Sequence, residues 1–193
     1  MVEQHPENYT EGRWKNWIAR AKESGFSLSD PDNAPDTTIF VNMEDDVVLA
    51  CLKVINRFRK KKISNSKARE DIKNIERITL AKVEPINDDI DMMIQSIQSS
   101  LVGVFGSCQC YIGDRYGSGS IDEVIVQAIE AEKGGDPEAA LELVSQAGAK
   151  ILAGQSFKFN RELPPGCVAE WVDGLDSISA TMVGGDGYKE DVD

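Results

Sequence analysis

The stretch from Asn87 to about Tyr111 constrains the fold of this chain more than any other part of the sequence. Its apolar residues recur at intervals of three and four, which is the spacing of one face of an α-helix. Asn87 is a suitable N-cap, and the acidic residues Asp88 and Asp89 suit the positive end of a helix dipole. The apolar face consists of Ile90, Met93, Ile94, Ile97, Leu101, Val104, Phe105 and Cys108. The pattern predicts a long central helix.

The other sides of this predicted helix carry small or polar residues. Small side chains allow the backbone of a neighbouring helix to come close. We therefore expect other helices to pack tightly against this one. The small residues are Ser96, Ser99, Ser100, Gly103, Gly106 and Ser107.

Helix-start signals recur along the rest of the chain. The segment 37–41 (TTIFV) has strand-forming side chains but stands alone, so it is predicted as an extended connection. The third helix is predicted to run to about Val83, before Pro85. The start signals are Thr10, Asn42, Ser64 or Ser66, the capping box of Ser120 and Glu123, the pair Asp136 and Pro137, and the pair Pro164 and Pro165.

These signals predict a mainly α protein, a single-domain bundle of about six or seven helices around the long central one. Residues 1–10 are predicted as a flexible N-terminal arm and residues 11–154 as the helical domain. Residues 155–193 are predicted to hold an extended segment, a terminal helix and an acidic, Gly-rich tail.

The charge of the chain argues against general nucleic-acid binding. Acidic residues outnumber basic ones by 33 to 21, and the formal net charge is −12. A nucleic-acid-binding surface has to neutralise phosphates instead. The positive charge concentrates between Arg57 and Lys82, and its densest part comprises Arg59, Lys60, Lys61 and Lys62. This cluster is either a docking surface for a partner protein or, more commonly, the solvated face of surface helices.

The chain contains neither a run of eighteen apolar residues nor an N-terminal apolar region typical of a signal peptide. We therefore expect a cytoplasmic protein that does not insert into a membrane, even if its partner is membrane-bound. The four cysteines do not resemble a secreted disulfide framework, so they are expected to be reduced.

Cys108 and Cys110 are the first candidates for chemistry. Two thiolates can bind a metal when the backbone is irregular, but in a helix they would point about 200° apart. Cys108 fits core packing, and Cys110 is predicted near a fraying helix end. A small metal- or redox-responsive protein that uses both thiols is the alternative function.

The N-terminal region supplies the candidate partner contacts. His5 is the only histidine and lies on the predicted arm, where its imidazole could ligate a metal that a partner holds. Trp14 and Trp17 are either buried with the terminal helices, as Trp171 would be, or exposed as interface anchors. The loop 113–120 resembles a phosphate loop only superficially, because a Walker lysine is missing and Asp122 and Glu123 follow it.

Three segments resemble an uncharacterised archaeal family, found mainly in methanogens and known as a domain of unknown function. They are Arg13 to Trp17, Asn42 to Lys53 without Val48, and Ser96 to Val104. None is a catalytic motif, so the resemblance transfers no site residues and implies only a methanogen setting.

In that setting we expect a non-enzymatic accessory protein. It would bind, and regulate or protect from oxygen, a larger methanogenesis enzyme complex such as a corrinoid methyltransferase. The chain itself is expected to hold no cofactor, although His5 could reach a corrinoid cobalt of the partner. An enzyme that uses dispersed carboxylates is a third option.

Overall fold

A computed structural model describes residues 9–28, 35–159 and 162–184. Within these ranges the chain forms seven α-helices, which confirms the predicted mainly α bundle. None of these helices combines the length and apolar character that a bilayer crossing needs. The helices are α1 (Glu11–Glu23), α2 (Thr38–Arg59), α3 (Asn65–Thr79), α4 (Asp88–Ile112), α5 (Ile121–Lys133), α6 (Pro137–Leu152) and α7 (Cys167–Val183).

Helix α4 is the central helix that the sequence predicts. The Asn87 side chain accepts a hydrogen bond from the Ile90 N–H at 2.9 Å, and so caps the helix as expected. The helix packs against α2, α3, α6 and α7. Its apolar face is buried in one continuous core that also takes in residues from the other six helices.

Small residues let α6 and α7 approach α4 closely, as the sequence predicts. A Cβ atom added to Gly103 would lie 2.5 Å from the backbone oxygen of Trp171 in α7. On the α6 side, Ser107 of α4 fills the space where a Cβ of Gly148 would stand. Helix packing at α4 therefore depends on the absence of side-chain atoms at these glycines.

Two predicted boundaries are wrong. Residues 38–41, predicted as an extended connection, form the first turn of α2, so Asn42 is not its N-cap. The ring of Phe40 is buried against Phe26 at a centroid distance of 4.8 Å, and this burial outweighs the strand preference of Thr38 and Ile39. The second wrong boundary is the end of α3, which lies at Thr79 rather than near Val83.

Helices α5 and α6 pack against each other, and both begin at the start signals seen in the sequence. Ser120 and Glu123 form both hydrogen bonds of the capping box at the start of α5. Asp136 accepts a hydrogen bond from the Ala139 N–H at 2.9 Å at the start of α6. The terminal helix, α7, begins just after the Pro164–Pro165 pair and packs on α4 and α6.

Candidate partner-binding groove

An open groove of about 510 Å³ runs along α1. Its second wall is the end of α3 together with the segment 81–86 that leads to α4. This volume lies within the range of ligand-binding clefts.

One stripe of α1 forms the first wall. Its residues are spaced by three and four, so they lie on one side of the helix and extend over three turns, about 16 Å. Trp14 and Ile18 supply the apolar part of this wall, and lysines stand at its edge. The stripe consists of Glu11, Trp14, Lys15, Ile18, Ala19 and Lys22.

The second wall is apolar with charged edges. Ile78 is buried, and Val83 and Ile86 are half-buried. Arg77, Lys82 and Glu84 stand at its edge. Residues 82–84 belong to neither a helix nor a strand. The groove therefore presents apolar side chains with charged groups at its edge.

Asp46 of α2 fastens α1 to the bundle. It accepts hydrogen bonds from the guanidinium of Arg13, with Nε at 2.8 Å, and from the indole N–H of Trp17 at 2.7 Å. Two residues earlier on α2, Glu44 accepts a hydrogen bond from Ser100 of α4. The three segments that carry the archaeal resemblance thus meet around the start of α2.

The tryptophans are mostly structural. Trp14 is only 4% exposed and Trp171 only 8%, so for these two residues the structure agrees with the buried alternative rather than the exposed one. Trp14 is nevertheless one of the residues that line the groove. Trp17 is half-buried and has the guanidinium of Arg20 over its ring at 4.4 Å. His5 lies outside the described residues.

The basic cluster at the end of α2 is only partly available to a partner. Arg59 donates to the backbone oxygen of Leu152 and to the hydroxyl of Tyr111, so it caps the carbonyl end of α6. Lys61, two residues after the end of α2, has a φ of 57°, in the left-handed region where glycine is usual. Lys60 and Lys62 are exposed. The docking role predicted for these residues stays a prediction.

Lys150 of α6 is a buried charge that sequence reasoning did not identify. Its side chain is 1% exposed, and its ammonium donates to the backbone oxygen of Gly117. A buried lysine needs such a partner because desolvation of the ammonium is costly. Lys150 therefore holds the loop 113–120 against the bundle. This hydrogen bond gives the loop a structural role in the bundle that does not require a bound ligand.

The two cysteines of the alternative function face different surroundings. Cys108 lies in the core beside Cys51, and both side chains are fully buried. Cys110 is also fully buried, so the predicted fraying at this residue is wrong; its thiol donates to the backbone oxygen of Arg115 at 3.4 Å. In the parts of the chain that the structure covers, no three potential ligands are grouped to hold a metal ion. The metal- or redox-responsive alternative stays a prediction.

Only Cys167 is expected to react quickly with Ellman's reagent in the native protein. It is exposed, whereas the other three thiols are buried. Hydrogen bonding to Cys108 and burial raise the pKa of Cys51, and burial raises that of Cys110 to about 11, so neither forms thiolate readily. Titration should show one fast thiol, and four after denaturation. Cys167→Ser should remove the fast phase, and a second fast thiol would contradict the buried placement.

Glu44 is a half-buried carboxylate whose pKa is raised mainly by desolvation. Hydrogen bonds from Ser100 and Ser177 oppose that shift, while the charges of Asp45 and Asp173 add to it. A raised folded pKa means that the contribution of Glu44 is fully present below the ordinary carboxyl pKa and is lost as the pH rises through the folded value.

Glu44→Gln should therefore stabilise the protein at pH 7, because an amide keeps an accepting oxygen without a partly desolvated charge. The expected gain is of the order of 1 kcal/mol, and it should shrink as the pH falls toward 4. Thermal unfolding across this pH range measures it. Glu123→Gln is the opposite control, since its backbone hydrogen bond lowers the pKa of Glu123. If Glu44→Gln instead lowered the melting temperature by the same amount at every pH, this prediction would be contradicted.

The fold and the groove define the class of this protein, an all-α bundle with an open and mainly apolar groove on its surface. The family described as an uncharacterized protein conserved in archaea (DUF2150) matches residues 7–191, and the chain belongs to this family. The archaeal resemblance seen in the sequence is thereby confirmed. Neither a curated protein nor a solved structure matches the chain.

Proposed function

We propose that this chain is a non-enzymatic accessory protein that binds a larger protein complex through the groove along α1. The occupant of the groove is a helical segment of the partner. The observation that carries the proposal is the groove itself, an apolar channel three helical turns long with charged edges. Recognition of an amphipathic helix in such a groove is a recurring mode of protein binding.

The chemistry of the lining supports binding over catalysis. The described residues that line the groove are apolar residues, lysines, an arginine and two glutamates, and none of these described residues is a histidine, cysteine, serine or threonine. The two glutamates are on opposite walls, and Glu11 is engaged by Lys15 and Arg77. This lining offers apolar contact area and charged edges rather than a paired nucleophile and base.

The finer part of the proposal concerns the partner. We place the protein in the cytoplasm of a methanogen, bound to an oxygen-sensitive methanogenesis complex such as a corrinoid methyltransferase, which it regulates or protects. Its support is the sequence resemblance and the position of His5, whose imidazole could reach the partner's cobalt. Pull-downs from anaerobic and air-exposed lysates of the source organism test this part, and cobalt spectra unaltered by His5→Ala would contradict the role of His5.

A substitution that fills the groove tests the binding mode. Ala19 lines the groove and is exposed, so Ala19→Trp should fill the channel while leaving the fold intact. Ala180→Trp is the matched control, because Ala180 is an exposed alanine on α7, outside the groove. Ala19→Trp should abolish co-purification of a stoichiometric partner, and Ala180→Trp should not.

Hydrogen exchange of the complex locates the contact independently. Amides of α1 and of residues 78–86 should be protected when the partner is bound. Protection confined to another surface, together with unimpaired binding by Ala19→Trp, would overturn the groove as the binding site.

A further inference from the structure

We infer that the groove along α1 selects an acidic amphipathic helix, a partner segment with one apolar face flanked by glutamate or aspartate. The inference rests on the proposed function and names the chemistry of its partner. It is carried by the charges at the edges of the groove and by the linear arrangement of the α1 stripe.

The edges of the groove carry more positive than negative charge. Four basic residues (Lys15, Lys22, Arg77 and Lys82) face two glutamates. Glu11 already pairs with Lys15 at 3.9 Å and with Arg77 at 3.3 Å. Among the ion pairs of the described residues, none involves Lys22 or Lys82. Both ammonium groups are exposed, one on each wall, and can receive carboxylates from an occupant.

This positive balance runs against the net charge of the whole chain, which is −12. At physiological ionic strength, charges farther apart than about 8 Å are largely screened from each other. The charges at the groove itself, rather than the net charge of the chain, therefore determine how strongly a charged segment is attracted to the groove. A basic helix would place its cations beside Lys22 and Lys82, which costs binding energy and excludes that class of partner.

Designed peptides test the inference directly. The probe is a labelled helical peptide with leucines at positions i, i+3, i+4 and i+7 and glutamates flanking them. A second labelled peptide has the same sequence with lysine in place of every glutamate. Fluorescence anisotropy at 50 and 500 mM NaCl should show at least tenfold tighter binding of the acidic peptide at low salt, with a smaller ratio at high salt.

Charge reversal at the groove provides the matched protein variants. Lys22→Glu with Lys82→Glu should invert the preference toward the basic peptide. Lys73→Glu with Lys158→Glu changes the net charge by the same amount at exposed lysines outside the groove, and should leave the preference unchanged.

The outcomes separate this inference from the proposed function. Equal affinity for both peptides, with both blocked by Ala19→Trp, would overturn the acidic preference and keep the groove as a binding site. If both double variants changed the peptide preference by the same amount, the preference would be a nonspecific effect of net charge, and the inference of an acidic partner segment would be overturned. If neither peptide binds and the natural partner still binds Ala19→Trp, the groove itself is wrong.

Discussion

Gly103→Ala is expected to destabilise the bundle by about 2 to 3 kcal/mol, the effect of forcing an extra methyl group into a packed interface. The new Cβ would stand 2.5 Å from the backbone oxygen of Trp171, which no side-chain rotation can relieve. Helices α4 and α7 would have to separate. For a chain of this length the loss corresponds to a fall in melting temperature of about 4 to 12 °C.

Gly117→Ala is the matched control for this prediction. A Cβ at Gly117 meets no atom within 4 Å, and the residue does not have a left-handed backbone. Its melting temperature should stay level or rise slightly, because alanine narrows the unfolded ensemble. If Gly103→Ala melted at the temperature of this control, the close approach of α4 and α7 would be wrong.

Asp46→Ala is expected to release α1 from the bundle while leaving the other helices in place. The substitution leaves the indole N–H of the half-buried Trp17 without an acceptor. It also removes the two carboxylate oxygens that accept hydrogen bonds from Arg13. Loss of hydrogen bonds to a charged acceptor typically costs about 1.5 to 3 kcal/mol each, and the exposed side of Arg13 places this site near the low end. Hydrogen exchange of the α1 amides should accelerate, with α4 and α6 unchanged.

Asp45→Ala provides the comparison for Asp46→Ala. Asp45 is the adjacent acidic residue, is exposed, and makes no ion pair within the described residues. Its removal should leave exchange in α1 unaltered. Because α1 is one wall of the groove, Asp46→Ala should also weaken binding of the acidic peptide. Unaltered exchange in α1 after Asp46→Ala would show that Trp14 and the ion pair of Glu11 with Arg77 hold the helix by themselves.

These two predictions concern different parts of the molecule. Gly103 lies in the packing of the central helix, and its replacement should lower global stability. Asp46 lies at the attachment of α1, and its replacement should affect the groove first. A variant that loses binding without loss of global stability would therefore identify α1 as the functional element of the bundle.

Local sequence signals predict most of the helices because their causes are local. The side chains of Asn87, Ser120 and Asp136 each accept a hydrogen bond from the backbone N–H three residues later. A helix cap can therefore be predicted from four consecutive residues. The same holds for the apolar period of α4. The start of α2 is missed because Phe26, fourteen positions away, supplies the ring that buries Phe40.

The groove could not be predicted in the same way. Its walls come from residues 11–22 and 77–86, and nothing in the spacing of either segment states that they meet. The Arg13–Asp46 contact spans 33 positions and the Glu11–Arg77 contact 66. The sequence did mark Trp14 as important, but burial or exposure of a tryptophan depends on what packs over it.

The sequence by itself determined the helical class, the central place of α4, the caps, and the small residues that admit neighbouring helices. These follow from periodicity and from hydrogen bonds between near neighbours in the chain. Only the tertiary structure decided that Trp14 is buried, that Arg59 and Lys150 cap or hold backbone oxygens, and that α1 leaves a groove beside α3. Those outcomes depend on contacts between distant segments, because burial and charge pairing are set by whichever surfaces the folded chain brings together.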